Sequence, residues 1–571
     1  MATEKIHTTS RLYALQNAIQ FDGKANPKAV SGKVIAALKA EGVQPKEIIP
    51  VVTVVVEEVN RLSLEQQHEE LLRVAPELLK REKKERDFSL PALPNAERGA
   101  VVTRFPPEPN GFLHIGHAKA AIIDHEYARM YDGKFILRFD DTNPDNEQIE
   151  FYDAQKEDLH WLGIKWDKEY NTSDNLDTHY LLAEQLIQQG DAYVCSCTPE
   201  MVKKNRFEGV PCSCRDKNPG EIVDLWRELL ASGVTQEVIL RLRGDLKSAN
   251  TAMRDPTLFR VIDTPHPLKG TKYRIWPTYD FAGAVEDSLS GVTHPFRTKE
   301  YELRDEVYFS ILTRLKLRKP YLMEFARLSI EGMPVSKRKI KPLIENCQVY
   351  GFDDVRLPTL RGLQRRGIVP EAIKQFVISQ GISKVESEVS FSLVESMNKK
   401  ILDPHTKRFF FVPNPVKLTV KNASARTIHL KLHPSSDLGE RVVETQSTFF
   451  IPKEDVQKMK VGDMFRLKDL MNVKLKKKGK ELIGENEGEK PLPDIPKIQW
   501  TTEKHIEFKV FIPGPLFIND TYNTESLTEV EGYAEEAVAT LNHGEIIQLE
   551  RFGFVRLEKT EQGIIGFFTH K

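Results

Sequence analysis

The first 95 residues carry apolar side chains at helical spacing. Leu12, Leu15 and Ile19 fall on one face of a helix, and a valine-rich segment further on repeats the spacing. A charged run, LLKREKKERD, then gives way to the proline-containing stretch SLPALPNAERG. The pattern predicts a helical module that ends in a linker, together spanning residues 1–95.

Strand and helix patterns alternate from residue 96 to residue 340. AVVTRF and FILRFD have the pattern of short apolar strands, and a helical segment follows each of them. This order predicts a parallel sheet covered by helices, and such sheets bind ligands beyond the carboxyl ends of their strands. We assign residues 96–190 and 275–340 to the two halves of this α/β domain and residues 191–274 to an insertion.

The pattern changes twice more along the chain. Residues 341–404 are helical again, whereas TIHLKLH, HIEFKVFI and IIQLERFGFVRLE alternate apolar and polar positions after residue 405. Such alternation is typical of antiparallel sheets with one solvated face. The predicted fold class is therefore multidomain α/β plus all-β, with a helical connector over 341–404 and β-barrels over 405–571.

Composition places few limits on the partners of this 571-residue chain. Charged residues make up 29% of it, but the formal net charge is -1, so any RNA contact would come from local basic patches. No apolar run reaches the roughly 18 residues of a membrane span, and the first residues lack the features of a signal peptide. We expect a cytoplasmic protein without a membrane span.

The segment PPEPNGFLHIGH, from Pro106 to His117, joins a predicted strand to a predicted helix. Its prolines stiffen the loop, and Gly116 allows a close backbone approach where the helix begins. A helix N-terminus offers free amides and a partial positive charge to phosphates. His114 lies on the same face as His117 and can hydrogen-bond or charge-stabilise a displaced phosphate, so we predict a nucleotide site here.

A second basic segment, PVSKRK, extends from Pro334 to Lys339. Lys337 on a mobile loop can reach an α-phosphate, and Ser336 can donate a hydrogen bond to it. Considered alone, the segment is better interpreted as a solvated basic loop. Its significance depends on the histidine segment that precedes it.

Together the two segments resemble the HIGH and MSK motifs of class I aminoacyl-tRNA synthetases. TRFPPEPNGFLHIGHAKA, LRFDDTNP, MRDPTLFR, PTYDF, GVTH and SKRK occur in the order found in the glutamyl and glutaminyl enzymes, and the resemblance covers nearly the whole chain. Val335 replaces the usual Met and keeps an apolar residue. The resemblance implies that ATP and an amino acid form an aminoacyl-adenylate, from which the amino acid passes to the terminal adenosine of tRNA.

The resemblance also implies roles for individual residues. His114, His117 and Lys337 would act catalytically on the phosphate. ATP, accompanied by Mg²⁺, would contact Pro107, Glu108, Pro109, Gly116, Arg327, Leu328, Val335 and Ser336. The amino-acid pocket, which Glu108 also borders, maps onto Arg104, Asp140, Tyr279 and Arg297.

Arg297, in GVTHPFRTKE, separates the two enzymes of this group. Glutamyl enzymes carry arginine there, and glutaminyl enzymes carry a small uncharged residue. A guanidinium pairs with a side-chain carboxylate, whereas an amide would leave the buried cation unpaired at a cost of several kcal/mol. Gly283 agrees, because the glutaminyl pattern has histidine there. We expect charging of tRNA-Glu with L-glutamate, as in glutamyl enzymes of archaeal and eukaryotic type.

Other functions remain open at this stage. The chain could be a glutaminyl-tRNA synthetase, against which Arg297 and Gly283 argue. It could also be a paralogue that modifies nucleotides or tRNA, or a synthetase-derived RNA-binding protein without activity. The long β region argues against a paralogue lacking an anticodon domain, and the intact HIGH and SKRK words argue against a protein that only binds RNA.

Four of the five cysteines form two close pairs. Cys195, Cys197, Cys212 and Cys214 give the pattern C-x-C…C-x-C. Four thiolates can form a closed tetrahedral zinc site with a structural role. Four incidental thiols are the alternative, and the resemblance permits zinc without requiring it.

The resemblance places tRNA contacts in three regions. The insertion would hold the acceptor end, the β region would read the anticodon, and the N-terminal module would contact tRNA or a partner protein. Arg361, Arg365, Arg366 and the stretch Lys474 to Lys480 are candidates for phosphate contacts or are plain surface charges. The expected partner is tRNA-Glu, with tRNA-Gln as a possible second substrate, and the expected state is a monomer.

Overall fold

The computed structural model describes residues 2–21, 23–38, 43–75, 78, 89–231, 238–334, 337–386 and 388–571. The chain divides into two compact units, residues 1–87 and residues 88–571. Among the described residues, no helix combines the length and the apolar character that a membrane span requires.

The first unit is helical. Its helices are α1 (Ala2–Gln20), α2 (Pro27–Leu38), α3 (Pro45–Val59) and α4 (Leu64–Val74). Their apolar stripes meet in one core, in which Leu15, Val34 and Val56 are buried. Ser63 begins α4 by accepting the N–H of Gln66, whose side chain in turn accepts the N–H of Ser63. The predicted N-terminal helical module is confirmed.

The second unit begins with alternating strands and helices. These are β1 (Val102–Phe105), α5 (Ile115–Met130), β2 (Lys134–Phe139), α6 (Ile149–Trp161), β3 (Lys168–Asn171) and α7 (Leu176–Gln188). The strands are parallel in the order β1–β2–β3, which confirms the predicted parallel sheet. Two charged side chains, Arg104 of β1 and Arg138 of β2, lie buried among the apolar residues of these strands.

An antiparallel sheet and further α/β elements follow. They are β4 (Ala192–Cys195), α8 (Pro199–Glu208), α9 (Pro219–Ala231), β5 (Ile239–Leu242), β6 (Thr257–Val261), β7 (Ile275–Pro277), α10 (Tyr279–Leu289), β8 (Phe296–Thr298), α11 (Asp305–Arg314) and β9 (Met323–Phe325). Strands β4–β5–β6–β7 are antiparallel in chain order, and β8 pairs with β9 in parallel. The N–H of Thr293 donates to the carbonyl of Val102 at 2.8 Å, so the segment that leads into β8 adjoins β1.

A mainly helical stretch connects these elements to the β-rich region. It contains β10 (Ser329–Ile330), α12 (Lys337–Glu345), α13 (Leu360–Arg366), α14 (Pro370–Gln380), β11 (Glu388–Val389) and α15 (Ser392–Leu402). Apolar residues of α14, such as Ile373 and Phe376, belong to the same core as Ile123 of α5. Helix α5, which carries the histidine segment at its N-terminus, is therefore packed from both the sheet and the connector.

The remainder is built from β-strands. They are β12 (Arg408–Phe409), β13 (Phe411–Pro413), β14 (Pro415–Lys421), β15 (Arg426–Lys431), β16 (Glu440–Thr445), β17 (Thr448–Pro452), β18 (Met464–Leu467), β19 (Met471–Lys477), β20 (Leu482–Asn486), β21 (Lys497–Ile498), β22 (His505–Pro513), β23 (Phe517–Ile518), β24 (Thr521–Tyr522), β25 (Leu527–Glu535), β26 (Ile546–Leu549), β27 (Gly553–Thr560) and β28 (Gly563–His570), with helix α16 (Lys453–Lys458) between β17 and β18. Two large, barrel-like sheets have the orders β17–β14–β20–β19–β18–β21 and β12–β26–β27–β28–β22–β25–β13. The predicted combination of α/β and β architecture is confirmed.

The hairpin β23–β24 packs against helix α12, which follows the SKRK segment. Ile340 and Leu343 of α12 share a buried cluster with Leu516, next to the hairpin. The hydroxyl of Tyr522 donates to the carbonyl of Gln348 at 3.0 Å. The β23–β24 hairpin therefore supports the helix that borders the predicted nucleotide site.

Candidate active site

The two histidines of the HIGH motif lie at the start of helix α5. His114 is the N-cap, and its Nδ1 accepts the backbone N–H groups of Gly116 at 3.1 Å and His117 at 3.4 Å. The Nδ1 of His117 accepts the N–H of His114 at 3.3 Å, and the two rings stack with centroids 3.8 Å apart. Because each Nδ1 is an acceptor, a neutral ring carries its proton on Nε2.

Burial keeps both imidazoles neutral. It lowers the pKa of His117 to about 4. Burial, with added repulsion from His117 and Arg327, lowers the pKa of His114 well below its usual value. In this state both rings can act on a phosphate as neutral hydrogen-bond donors.

A cleft of about 880 Å³ lies over the start of α5, in the size range of ligand pockets. Gly116 and both histidines line one side, and Arg327 and Leu328 line another. Helix α12 completes the cleft with side chains that include Arg338 and Lys341. The two predicted halves of the nucleotide site, HIGH and SKRK, thus border one cleft.

The remaining nucleotide-site residues have different positions. Val335 and Ser336 lie outside the described residues, and of Lys337 only the backbone at the start of α12 is described. The carbonyl of Pro107 accepts the N–H of Asp140 at 3.0 Å, and that of Pro109 accepts the N–H of Gln148 at 3.1 Å. These two prolines hold the loop before α5 against the loop after β2.

A second cavity, of about 530 Å³, lies beside that proline loop. Glu108 and Tyr279 line it, together with Arg260 and Tyr301. The ring of Tyr279, in the first turn of α10, lies 4.7 Å from the ring of Tyr301. Burial raises the pKa of the Tyr279 phenol to about 12, so this hydroxyl keeps its proton and can donate a hydrogen bond.

Arg104 and Asp140 are held in buried ion pairs. Arg104 donates through Nε to Asp287 at 3.0 Å and through Nη1 to the carbonyl of Phe296 at 2.7 Å. Asp140 accepts from Nε of Arg138 at 2.7 Å and from the hydroxyl of Thr172 at 2.8 Å. The protein therefore fixes the orientation of both side chains before any ligand is present.

Arg297 is almost fully buried, with 4% of its side chain exposed. Its Nη2 donates to Asp305 at the start of α11, and its guanidinium lies 4.9 Å above the ring of Tyr308. Its Nε has no hydrogen-bond partner among the described residues. A buried donor without a partner is costly, so this side of the guanidinium suits an added acceptor such as a carboxylate.

The counter-ion of Arg297 is itself perturbed. Burial, together with the nearby carboxylate of Glu324, raises the pKa of Asp305 to about 6 although Arg297 opposes this. Glu324 lies opposite Arg297 in the β8–β9 pair and accepts from Lys384 at 2.6 Å. The guanidinium therefore has carboxyl groups nearby before a substrate arrives.

Gly283 lies in α10, one turn after Tyr279. A Cβ built at Gly283 would lie 3.9 Å from the Tyr279 ring, an ordinary van der Waals contact. A single added carbon at position 283 would therefore already touch the Tyr279 ring, at a buried position in the helix. A histidine there, as in the glutaminyl pattern, would bring a polar ring towards Tyr279.

Three family models match successive parts of the chain. The model for the catalytic domain of class I tRNA synthetases (E and Q) matches residues 100–404. Two models for anticodon-binding domains of the same group match residues 406–488 and 497–558. The chain belongs to the class I tRNA synthetases of the E and Q group.

Similar proteins extend the match to the full chain. The chain is 45% identical over 570 residues to a protein of Nitrosopumilus maritimus named glutamate–tRNA ligase, covering 100% of both chains. Proteins of the same name from Cenarchaeum symbiosum and Pyrococcus furiosus are 41% identical, and 98% of this chain is covered in both comparisons. The aligned parts make up 99% and 98% of those relatives, respectively.

The four paired cysteines of this synthetase come together in the antiparallel sheet region. Their four Sγ atoms all lie within 4.8 Å of one another. The Sγ atoms of Cys195 and Cys212 are 3.9 Å apart, as are those of Cys197 and Cys214. Four sulfurs at ~2.3 Å from a tetrahedral zinc ion would be ~3.8 Å apart, so the cluster fits zinc.

The predicted phosphate-binding arginines of the synthetase are engaged within the protein. Arg366 is 5% exposed and contacts Glu395 at 2.5 Å, so it is neither a phosphate contact nor a surface charge, and both predicted alternatives are wrong. Arg365 forms a bidentate salt bridge with Glu558. Arg361 pairs with Glu157 at 2.7 Å but remains partly exposed.

The lysine-rich stretch of the synthetase extends from strand β19 into the following turn. Lys476 pairs with Glu485 at 2.5 Å, and Lys477 lies 3.5 Å from Glu481. The ammonium group of Lys478 donates to the carbonyl of Met459 at 2.6 Å. Much of this basic charge is therefore balanced or bound within the protein.

Several residues that hold the predicted amino-acid pocket of the synthetase were not among the sequence-based predictions. Asp287, Arg138 and Tyr308 contact or orient the predicted pocket residues, and Asp305 pairs with Arg297. Two of them can be recognised in the sequence as charged residues within apolar segments. Arg138 interrupts the apolar strand FILRF, and Asp287 belongs to an acidic pair inside the apolar helix YDFAGAVEDSL.

Proposed function

We propose that the chain is a glutamate–tRNA ligase. An oxygen of the α-carboxylate of L-glutamate would attack the α-phosphorus of ATP, releasing pyrophosphate and forming glutamyl-adenylate. The terminal ribose hydroxyl of tRNA-Glu would then attack the carbonyl carbon, and AMP would leave. The observation that carries the choice of glutamate is the buried guanidinium of Arg297, whose Nε has no partner among the described residues.

The nucleotide would occupy the cleft over α5. The Nε2–H groups of His114 and His117 would donate hydrogen bonds to phosphate, and Lys337 would stabilise the charge of the transition state. The remaining contacts would come from Pro107, Glu108, Pro109, Gly116, Arg327, Leu328, Val335 and Ser336. Mg²⁺ would accompany ATP and offset phosphate charge. The neutral state of both rings and the shared cleft support this assignment.

Glutamate would be recognised by four residues, of which Tyr279 lines the second cavity. Its ammonium group would pair with Asp140 and its side-chain carboxylate with Arg297, with Arg104 and Tyr279 completing the pocket. The Nε of Arg297, which has no partner among the described residues, supports glutamate over glutamine. An amide oxygen would accept only a weaker, uncharged hydrogen bond from the Nε of Arg297 than a carboxylate would.

The remaining regions would serve tRNA. The insertion at 191–274, which folds around a zinc ion held by Cys195, Cys197, Cys212 and Cys214, would hold the acceptor end. The β-rich region at 405–571 would read the anticodon, joined to the catalytic halves at 96–190 and 275–340 by the connector at 341–404. The module and linker at 1–95 would contact tRNA or another protein. The enzyme would work as a cytoplasmic monomer.

Aminoacylation of total tRNA with labelled glutamate and, separately, labelled glutamine tests this proposal. The wild type should charge glutamate, and Arg297→Ala should raise the KM for glutamate about 100-fold or more, because a buried charged pair is lost. Arg98→Ala is the control, since Arg98 is exposed and pairs only with exposed Asp132 in the described structure. It should behave as the wild type.

Two results would contradict the proposal. Charging of glutamine in place of glutamate would move the chain to the glutaminyl enzymes and leave the chemistry intact. Charging of neither amino acid, with tRNA still bound, would favour an RNA-binding protein without synthetase activity.

A further inference from the structure

Asp287 of helix α10 lies at the centre of a buried charged cluster. Its Oδ1 accepts from Nε of Arg104 at 3.0 Å and from Nη1 of Arg138 at 2.8 Å. Its Oδ2 accepts from Nη2 of Arg104 at 3.2 Å and from the hydroxyl of Tyr308 at 3.0 Å. Only 1% of the Asp287 side chain is exposed, so it contacts the protein and not a substrate.

Each partner of Asp287 connects it to a residue assigned to glutamate. Arg104 is one of those residues. Arg138 continues to Asp140 through bonds of 2.7 Å and 3.3 Å. Tyr308 supports Arg297, whose guanidinium lies 4.9 Å from its ring centre.

The charges in this cluster balance only if Asp287 is ionised. Burial alone would raise the pKa of Asp287, but Arg104 and Arg138 outweigh it and lower that pKa. Asp124, another carboxyl group near Arg104, cannot take over this role, because burial raises its pKa well above the usual range. Asp140 pairs with Arg138 but has no hydrogen bond to Arg104 among the described residues. Asp287 is thus the anion that these two guanidinium groups share.

We propose that Asp287 is the positioning residue that aligns the glutamate-binding side chains Arg104, Asp140 and Arg297 through one buried carboxylate. This inference rests on the proposed function, which assigns those three residues to glutamate. Without the anion, two buried guanidinium groups would repel each other and lose their fixed orientation. Misplacement of a positioning group by ~1 Å can reduce a rate ~100-fold, so the alignment matters for binding and rate.

The substitution Asp287→Asn tests the proposal, because the amide keeps the volume and removes the charge. We expect the KM for glutamate to rise about 10- to 100-fold while the KM for ATP changes less than about twofold. Glu286→Gln is a matched control on the same helix. Glu286 is equally buried but binds His179 at 2.7 Å and Asn175 at 3.1 Å.

The control separates positioning from loss of stability. Both variants remove a buried carboxylate and should lower the unfolding midpoint, but only Asp287→Asn should raise the KM for glutamate selectively. If Asp287→Asn does not fold, Tyr308→Phe replaces it, since it removes only one hydroxyl group from the cluster. That variant should raise the KM for glutamate about 3- to 10-fold and reduce the preference for glutamate over glutamine.

Three outcomes separate this inference from the proposed function. A selective rise in the KM for glutamate supports it. If the wild type charges glutamate but the Asp287→Asn and Tyr308→Phe variants keep the wild-type KM for glutamate, this inference alone is overturned. It is also overturned if the KM for glutamate and the KM for ATP rise equally. A wild type that charges no glutamate overturns the proposed function itself.

Discussion

The imidazole rings of His114 and His117 stack with their centroids 3.8 Å apart, and each ring accepts the backbone N–H of the other residue through Nδ1. These bonds satisfy two of the free amides at the start of α5. They also leave both Nε2–H groups available to a ligand. The helix N-terminus therefore offers imidazole donors to a phosphate in place of those two backbone amides.

Acid should destabilise the protein through His117. Its pKa is about 4 in the folded chain and about 6.5 in an unfolded one, so between these values only the unfolded state binds the proton. The stabilising effect of a neutral His117 is thus complete above about pH 6.5 and is lost as the pH falls towards 4. From pH 7 to pH 5, we expect the free energy of unfolding to fall by about 1–2 kcal/mol more than in His117→Gln.

Urea unfolding of both proteins at the two pH values measures this difference. Comparison with the variant is needed because other groups titrate in the same range, among them Asp305 with a pKa raised to about 6. Equal pH dependence in wild type and variant would mean that His117 is protonated normally in the folded protein.

The start of helix α5 could be predicted because its interactions are local. The strand before Pro106 and the helix after His114 each have a clear period in the sequence, and the stacked rings are only three residues apart. The paired spacing of Cys195 with Cys197 and of Cys212 with Cys214 likewise indicated a cluster. In these cases the residues that interact are close in the chain or share one pattern.

The amino-acid pocket could not be derived in the same way. Arg104 and Asp287 are 183 residues apart, and no local period links them. The pairing of β12 with β26, which sets Arg408 opposite Gln548, likewise joins residues that are far apart in the chain. The burial of Arg366 could not be predicted, because it depends on contacts with residues such as Thr569, 203 positions later in the chain.

Removal of one cysteine from the cluster should remove zinc. We expect one zinc ion per wild-type chain, measured by atomic emission, and much less than one in Cys212→Ser, because a structural site needs all four ligands. The insertion should also become sensitive to proteases, since metal binding contributes to its folding free energy.

Cys347 provides the control for this experiment. It is exposed and lies outside the cluster, so Cys347→Ser should keep one zinc ion per chain and the protease resistance of the wild type. A wild type that binds no zinc when purified without chelators and supplied with zinc would show that the four thiols have no metal role.

The contact between the β23–β24 hairpin and helix α12 should affect ATP binding. Leu516 is 1% exposed in the cluster with Ile340 and Leu343, so Leu516→Ala should destabilise the protein by about 2–5 kcal/mol through a cavity. Helix α12 also supplies Arg338 and Lys341 to the nucleotide cleft. Loss of its support should therefore raise the KM for ATP about 3- to 10-fold, measured by tRNA-dependent ATP–pyrophosphate exchange.

Ile518 of the same hairpin is the matched control for Leu516, because its side chain is 54% exposed. Ile518→Ala should change the free energy of unfolding by less than about 0.5 kcal/mol and leave the KM for ATP unchanged. If Leu516→Ala lowers stability but keeps the ATP KM of Ile518→Ala, the hairpin only stabilises the fold. If the KM for ATP rises in Leu516→Ala but not in Ile518→Ala, packing against the β23–β24 hairpin sets the position of helix α12 at the proposed nucleotide site.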